Sequence, residues 1–354
     1  MYAYFAILET QFAKKTVLPI DNSDPLLYNK SMKSEVKAAK TMICQDCERK
    51  CQRFGTHRNG LRRFRCPQCK RTYTESHGLT LGEMYVSEEK ALLALQLLLE
   101  GNSIRSTMRL TGLDGNTITK MLGLAGERCE KLMGRLIVNV PVKDVQADEI
   151  WGYVAKKEGH KLPGEEDNKN IGDAYCFVAI ERNTKLVLNF ALGRRDQATT
   201  DAFIEGLRAA TSPQRFQITT DGFQPYVSAI TTTLSDRCDL AQLIKVYGQS
   251  QEEEHRYSPP DVLEALPKPI MGEPDRARIC TSHVERQNLT IRMQMRRLTR
   301  LTNAFSKKWD NLWSAYCLHF AYYNFCRIHR SLRVTPAMES GLTDHVWELK
   351  ELLA

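Results

Sequence analysis

The order of strand-like and helix-like segments after residue 142 limits the fold of this chain more than any other feature of its sequence. Three segments rich in β-branched and aromatic residues come first, and the turn RNT joins the last two as a hairpin. The segments are KDVQADEIWGYVA, AYCFVAIER and KLVLNFALGRR as strands, ATTDAFIEGLRAA as a helix, RFQITTD as a strand, PYVSAITTTL as a helix and DLAQLIKVYG as a strand. Three strands followed by alternating helices and strands indicate an α/β domain with a mixed sheet.

The rest of the chain divides into regions of different composition. Acids and prolines with little period follow the last strand and indicate a loop or inserted arm. The expected regions are an unassigned N-terminal extension at 1–40, a cysteine-rich module at 41–76, an all-α region at 83–137, the α/β domain at 142–330 with the insertion at about 249–279, and a helical tail at 331–354.

Two cysteine pairs, CQDC and CPQC, predict a structural zinc site in the second region. Their spacing, C-x2-C-x18-C-x2-C, suits one tetrahedral Zn²⁺ ion. The ion would supply stability that so small a module cannot obtain from a core. Cys51 is an alternative ligand with less suitable spacing, and His57 is a weaker one. The expected ligands are Cys44, Cys47, Cys66 and Cys69.

The chain has eleven cysteines, an odd number, and no basic segment typical of a signal peptide, which favours thiols or metal over disulfides. The hairpin between the two cysteine pairs is rich in arginine, and Arg62 and Arg63 are expected to contact DNA phosphates. A zinc ribbon that binds only protein is the alternative.

The segment SIRSTMRLTGLDGNTITKML predicts a helix-turn-helix. Gly112 supplies the turn and Asp114 the start of the second helix. Asn116, Thr117 and Lys120 then lie near the beginning of that helix, where recognition helices meet base edges. An ordinary helical hairpin is the alternative interpretation.

Three acids on separate elements predict a site for two Mg²⁺ ions, which prefer oxygen ligands. Asp148 lies in the first strand of the α/β domain, Asp221 ends the fourth, and Glu285 opens a helix. In α/β sheets, functional sites usually lie at the carboxyl ends of the strands, which is where Asp221 is expected. Glu149 is an alternative to Asp148, but strand alternation predicts that only one of the two reaches the metals.

The helix that Glu285 opens carries bases and no further acid as far as residue 308. Counting in helical steps places Leu289, Arg292 and Arg296 on the face of Glu285, and Arg297 and Arg300 further round. Arg292 and Arg296 are therefore expected to reach the DNA strand being cut. The alternative is that all these arginines form one undirected electrostatic surface.

Taken in order, these motifs resemble the DDE transposases of the insertion sequence one (IS-one) family. The resemblance covers roughly residues 41 to 310 through CPQCKRTY, the helix-turn-helix, DEIWGYV, TDGFQPY and VERQNLTIRMQMRRLTR. It implies an RNase H-like catalytic domain in which Asp148, Asp221 and Glu285 bind Mg²⁺ or Mn²⁺. It also implies cleavage and transfer of double-stranded DNA, at transposon ends and a target, by a homo-oligomer assembled on DNA.

The chain departs from the archetype of that family in three ways. Glu285 follows Asp221 by sixty-four positions, the ribbon and catalytic parts form one chain without a frameshift, and the tail RIHRSLRVTPAMESGLTDHVWEL extends past the archetype.

Composition agrees with a polyanionic partner. The 354 residues carry a net charge of +8 with a pI near 8.9, and residues 286–308 contribute seven bases without an acid. No apolar stretch approaches a membrane span, so a cytoplasmic protein is expected, nucleoid-associated if prokaryotic. A tyrosine recombinase would need Tyr153 or Tyr226 beside an Arg/His cluster that the sequence does not supply. A DNA-binding regulator without catalysis is the remaining alternative.

Overall fold

A computed structural model describes residues 42–44, 46–56, 61–75, 81, 84, 86–248 and 262–353. The chain forms two compact units, Met1–Glu75 and Ser76–Ala354. The extension predicted at 1–40 and the alternative zinc ligand His57 lie outside the described residues.

The first unit is a three-stranded antiparallel ribbon of β1 (Gln52–Thr56), β2 (Arg62–Arg65) and β3 (Thr72–Thr74). Among the residues of this unit that the structure describes, the buried core is small and consists of Phe64 and three cysteines, with Met42, Cys47 and Tyr73 packed against them. So few apolar contacts are insufficient to stabilise a module of this size, which agrees with a role for a metal ion.

The second unit begins with three helices, α1 (Glu88–Leu99), α2 (Ile104–Thr111) and α3 (Gly115–Leu136). Helix α2 ends at Gly112, whose φ of 69° lies in the left-handed region that glycine adopts without strain. Asp114 caps α3 by accepting a hydrogen bond from the Asn116 N–H, as predicted. The turn and helix start expected of the helix-turn-helix are therefore present.

A six-stranded mixed sheet forms the centre of this unit, in the order β6-β5-β4-β7-β8-β9. The β4–β5, β5–β6 and β8–β9 pairs are antiparallel, while β7 is parallel to both β4 and β8. The predicted mixed sheet is thus confirmed. The strands are β4 (Asp144–Val154), β5 (Gly172–Glu181), β6 (Val187–Gly193), β7 (Phe216–Thr220), β8 (Cys238–Tyr247) and β9 (Val262–Met271).

Helices cover both faces of the sheet. Helices α4 (Gln197–Ala210) and α5 (Gln224–Leu234) cover one face, where the rings of Phe177, Phe203 and Tyr226 pack together. Helices α6 (Ser282–Gln294) and α7 (Trp309–Ala321) cover the other.

The helical region is packed on the six-stranded sheet through α3 and α7. A Cβ at Gly126 of α3 would lie 2.5 Å from the backbone of Ser314 in α7, so only glycine allows this close approach. A π-helical turn at Tyr322–Cys326 follows α7, and two short helices complete the chain, α8 (Pro336–Glu339) and α9 (Leu349–Leu352). None of the described helices has the length and hydropathy needed to cross a membrane.

The segment between β8 and α7 differs from the sequence-based expectations in two places. Part of the expected loop or inserted arm at 249–279 is strand β9, which pairs with β8 along most of its length. The expected continuous helices after residue 282 are interrupted, because α6 ends at Gln294 and a short 3-10 turn, Arg296–Leu298, follows. Met295 has extended backbone angles, and its side chain is buried, which fixes the break.

Candidate active site

Three carboxylates meet at the end of β7. Single oxygen atoms of Asp148, Glu149 and Asp221 lie within 4.8 Å of one another. The ladder between β4 and β7 extends only to Gln146 and Thr219. Since β7 stops at Thr220 while β4 continues, Asp221 lies beside the next residues of β4.

Both Asp148 and Glu149 reach this cluster, whereas strand alternation predicts that only one of the two reaches the metals. The two do begin on opposite faces: Asp148 accepts a hydrogen bond from Asn288 of α6, whereas Glu149 lies on the side of α5. They converge because no β7 residue is paired with β4 at this level, so both side chains bend around the end of that strand.

Burial and mutual repulsion make this cluster electrostatically costly. Desolvation, reinforced by the charge of Asp221, raises the pKa of Asp148 to about 7 and that of Glu149 to about 7. The Oε1 atom of Glu149 is buried without a hydrogen-bond partner. A divalent cation would relieve the repulsion between the carboxylates, and the Glu149 oxygen could serve as one of its ligands. The three carboxylates therefore suit Mg²⁺ or Mn²⁺.

Glu285 is close to this cluster but is held outside it. Its Oε1 atom accepts hydrogen bonds from Lys245 of β8 and from Thr281, just before α6. Its charge contributes to the raised pKa of Asp148, after burial and Asp221. The structure therefore brings Asp148 and Asp221 together as predicted, adds Glu149, and pairs Glu285 with a cation.

Three residues of this site were missed in the sequence. Arg195 lies 3.5 Å from Glu149 and 3.6 Å from Asp221, with its guanidinium 3.8 Å above the Phe223 ring. Asn288 donates to Asp148 Oδ2 at 2.8 Å. The third residue is Lys245. Two of the three had a signal in the sequence, because Arg195 follows a strand and Asn288 lies about one helical turn after Glu285. Lys245 lies within β8. None of these positions shows which partner the side chain contacts.

The basic segment after Glu285 does not form the predicted helix face. Arg296 lies beyond the end of α6, so helical counting does not apply to it, although its side chain is exposed. Arg292 donates to the carbonyls of Leu298 and Trp151 and so fixes the turn after α6. Burial lowers the pKa of Arg297 to about 10, and its guanidinium donates to Ser306. Arg300 is exposed.

The ribbon brings the four predicted cysteines together. Ligand atoms of Cys44, Cys47, Cys66 and Cys69 lie within 4.8 Å of one another, and the Cys44 and Cys69 sulphurs are 3.6 Å apart. A tetrahedral Zn²⁺ site requires sulphurs about 3.8 Å apart. All eleven cysteines are free thiols, and Cys51 lies outside the group of four.

The backbone around the two cysteine pairs repeats one turn. The N–H groups of Cys44 and Cys66 each donate to the carbonyl five residues ahead, and their carbonyls each accept from the N–H four residues ahead. Those fourth residues, Glu48 and Lys70, both have positive φ, of 51° and 59°. Two equivalent turns present two thiols each from opposite sides, which is compatible with a zinc ribbon.

The proposed recognition residues occupy the start of α3. Asn116 and Lys120 are exposed and Thr117 is partly exposed, while Ile118 between them is buried. In the ribbon, Arg62 is exposed and forms an ion pair with Glu75 at 3.3 Å, and Arg63 lies 5.4 Å from the Phe54 ring.

Comparison with protein families agrees with this geometry. Residues 170–257 match a DDE domain, in the family model named DDE_Tnp_IS240. The match supports a DDE transposase. It includes Asp221 and the strands on both sides of it, but neither Asp148 nor Glu285, and it does not select the IS-one family. A search of curated proteins gives no match.

A DDE domain implies an RNase H-like α/β fold, and the mixed sheet with helices on both faces fits it. It also implies a divalent metal ion and a DNA substrate. The acidic cluster of Asp148, Glu149 and Asp221 is a group that could hold such an ion.

The raised pKa values predict an unusual pH dependence of stability in the metal-free protein. Between about pH 4, where these carboxyls titrate in the unfolded chain, and about pH 7, the folded chain binds more protons. Stability should therefore fall as pH rises through this range, with the full penalty present above pH 7. Asp148→Asn removes one of the charges. In EDTA, its melting temperature should exceed that of the wild type by about 4 °C at pH 8 and hardly at all near pH 4.5.

A matched control is Asp236→Asn. The ion pair with Arg208 lowers the pKa of Asp236, so this substitution should reduce stability above about pH 4 or leave it unchanged. A constant difference between Asp148→Asn and wild type from pH 4.5 to 8 would show that the carboxylates do not repel one another as described.

Proposed function

We propose that this protein is a transposase that binds the terminal inverted repeats of an insertion sequence and catalyses metal-dependent strand cleavage and strand transfer. The observation that carries the proposal is the convergence of Asp148, Glu149 and Asp221 at the end of β7, within a DDE-type sheet. The position of Glu285 at the start of the helix packed over β4 supports it.

Asp148 and Asp221 would hold two Mg²⁺ or Mn²⁺ ions, with Glu285 as the third acid of the triad. Bound there, the ions would activate the attacking water or 3′-hydroxyl and stabilise the leaving oxygen of the phosphodiester. Glu149 lies close enough to replace Glu285 as a ligand, since its oxygen already belongs to the cluster.

The side chains around the acids would orient them. Asn288 fixes one oxygen of Asp148, and the N–H of Phe223 fixes one oxygen of Asp221 at 3.0 Å. Lys245 neutralises Glu285 until DNA and metal compete for that carboxylate. Each contact reduces the rearrangement needed when the site binds metal.

DNA would be bound at several places. Arg62 and Arg63 of the ribbon and Arg296 after α6 would contact phosphates, and Asn116, Thr117 and Lys120 would meet base edges. Arg292, predicted to reach the cleaved strand, is better explained as a residue that fixes the turn after α6, because two of its nitrogens already bind carbonyls. We further propose a homo-oligomer on DNA and a cytoplasmic, nucleoid-associated protein.

The direct test uses purified full-length protein and a labelled duplex carrying the inverted repeat that flanks its gene. Strand cleavage by the zinc-loaded protein at the repeat end should require added Mg²⁺ or Mn²⁺ and be absent when neither ion is supplied. Specific binding without cleavage, under conditions in which the protein is folded and metal-loaded, would indicate a DNA-binding regulator instead.

Arg195 competes with metal for the same carboxylates, so its removal should strengthen metal binding. Its guanidinium lies within 3.6 Å of two acids but is 38% exposed, which moderates the interaction. Arg195→Ala should lower the dissociation constant for Mn²⁺ about threefold to tenfold without DNA, measured by electron paramagnetic resonance of free Mn²⁺.

Arg208→Ala is the matched control for Arg195→Ala. It removes an equal charge at the opposite end of α4, where Arg208 pairs with Asp236, and should leave Mn²⁺ affinity unchanged. Weaker Mn²⁺ binding in Arg195→Ala would instead show that Arg195 holds Glu149 and Asp221 in position.

A further inference from the structure

Three aromatic rings form a row at the end of β4, beginning two residues after Glu149. The ring centroids of Trp151 and Tyr153 are 5.8 Å apart, and the Tyr153 ring lies 4.8 Å from that of Phe305. All three side chains are partly exposed. Rings that only completed the core would be buried, as Phe177 and Phe203 are.

The row follows directly from the course of β4. Beyond its ladder with β7, β4 is joined on that edge by the segment before α7: Val154 bridges Ser306, and the Ala155 N–H donates to the Ser306 carbonyl at 2.8 Å. This places Phe305 beside Tyr153. Trp151 and Tyr153 lie two and four residues after Glu149, on the same side of the strand, at steps of about 7 Å. The aromatic row is thus continuous with the carboxylate cluster.

Positive charge surrounds the row. Lys157 Nζ lies 5.5 Å from the centroid of the Trp151 ring, and Lys307 Nζ lies 3.5 Å from that of Phe305. The three rings line a groove of about 400 Å³, and no acid lines it among the residues that the structure describes. The cations lining the groove are Lys157, Arg292, Arg297 and Arg300.

We propose that this groove binds single-stranded DNA next to the cleavage site. Bases would stack on the exposed faces of Trp151, Tyr153 and Phe305, and phosphates would lie beside Lys157, Lys307 and Arg300. Every base has a π-face, so such stacking does not depend on sequence, and a cationic groove without acids suits the strand's backbone. A paired duplex hides its base faces, so the row favours an unpaired strand.

The inference rests on the proposed function, because it identifies the strand as the DNA released or melted at the carboxylate cluster. Strand cleavage beside Glu149 leaves a free strand end from which the adjoining base pairs can melt. A stacked, unpaired strand would keep the freed end near the acids for the next step. This role belongs to residues outside the triad, so it can be tested separately from cleavage.

The test measures fluorescence anisotropy of a fluorescein-labelled oligothymidylate of about 15 nucleotides, with zinc-loaded full-length protein and no added Mg²⁺ or Mn²⁺, so that no cleavage occurs. Trp151→Leu and Phe305→Leu should each raise its dissociation constant about tenfold. Trp151→Phe, which keeps a ring, should stay within about threefold of wild type. The dissociation constant for a duplex of the same length should change less than about threefold in all three variants.

Two neighbouring lysines give a matched charge control. Neither lysine lines the groove itself, but Lys307→Ala removes the cation over the Phe305 ring, whereas Lys308→Ala removes an equal charge from the next residue. Lys307→Ala should weaken oligothymidylate binding several-fold more than Lys308→Ala does. Circular dichroism of each variant checks its folding. If Trp151→Leu does not fold, Phe305→Leu decides the outcome, since Phe305 lies in the connection between α6 and α7.

Three results would overturn the inference: unchanged oligothymidylate affinity in the folded leucine variants, an equal loss for duplex and single strand, or equal losses for the two lysine variants. Because binding is measured without Mg²⁺ or Mn²⁺, the outcome does not depend on catalysis. A protein that binds oligothymidylate through the row but never cleaves DNA would contradict only the proposed function. An active protein indifferent to both leucine substitutions would contradict only the groove.

Discussion

Asp221→Asn is expected to reduce metal-dependent DNA strand cleavage about a thousandfold or more, because the substitution removes a charged metal ligand while preserving its shape. Asp148→Asn should have an effect of the same order, since its oxygen belongs to the same cluster. Neither residue is placed to hold DNA, so binding to the inverted repeat should remain within about threefold of wild type. Gel-shift titration and single-turnover cleavage of the same labelled duplex measure the two quantities.

The third acid is decided by comparing Glu285→Gln with Glu149→Gln. In this structure Glu285 forms an ion pair with Lys245, whereas Glu149 already lies beside Asp221. We expect Glu285→Gln to abolish cleavage, because metal and DNA together can displace one partly exposed lysine from a carboxylate that is 41% exposed. Full activity in Glu285→Gln with none in Glu149→Gln would make Glu149 the ligand. Full activity in Asp221→Asn would remove this cluster from the reaction.

Loss of zinc is the second large effect expected. The Cys66→Ser, Cys69→Ser double variant should contain no zinc, lose the ribbon's structure and bind the inverted repeat about tenfold or more weakly, because Arg62 and Arg63 are no longer positioned. Melting of the second unit should be unchanged, since Ser76–Ala354 forms a compact unit of its own. Atomic absorption, repeat-binding titration and calorimetry measure these outcomes.

Cys51→Ser is the matched control for zinc binding. Cys51 is buried in the same small core but lies outside the group of four thiols, so its variant should retain one equivalent of zinc. A double variant that still carries zinc, or wild-type protein without any, would contradict the predicted ligand set.

Short-range patterns predicted much of the architecture. The spacing of the cysteines allowed two equivalent turns to bring four thiols together, and Gly112 and Asp114 fixed the turn and cap between α2 and α3. The order of strands and helices was enough to predict the mixed sheet, because hairpins and crossovers follow from short connections. Asp221 was found for the same reason: it directly follows a buried strand.

Convergence between distant segments was not predictable in this way. Alternation correctly placed Asp148 and Glu149 on opposite sides of β4, but their meeting depends on where β7 ends. The pairing of Glu285 with Lys245 joins residues forty positions apart, and the bonds of Arg292 depend on a helix that stops at Gln294. The sequence by itself determined which side chains are available and, through local spacing and propensity, on which helix, strand or turn each one lies. Only the tertiary structure decided which of them meet, because strand length, helix ends and long-range partners are fixed by packing of the whole unit.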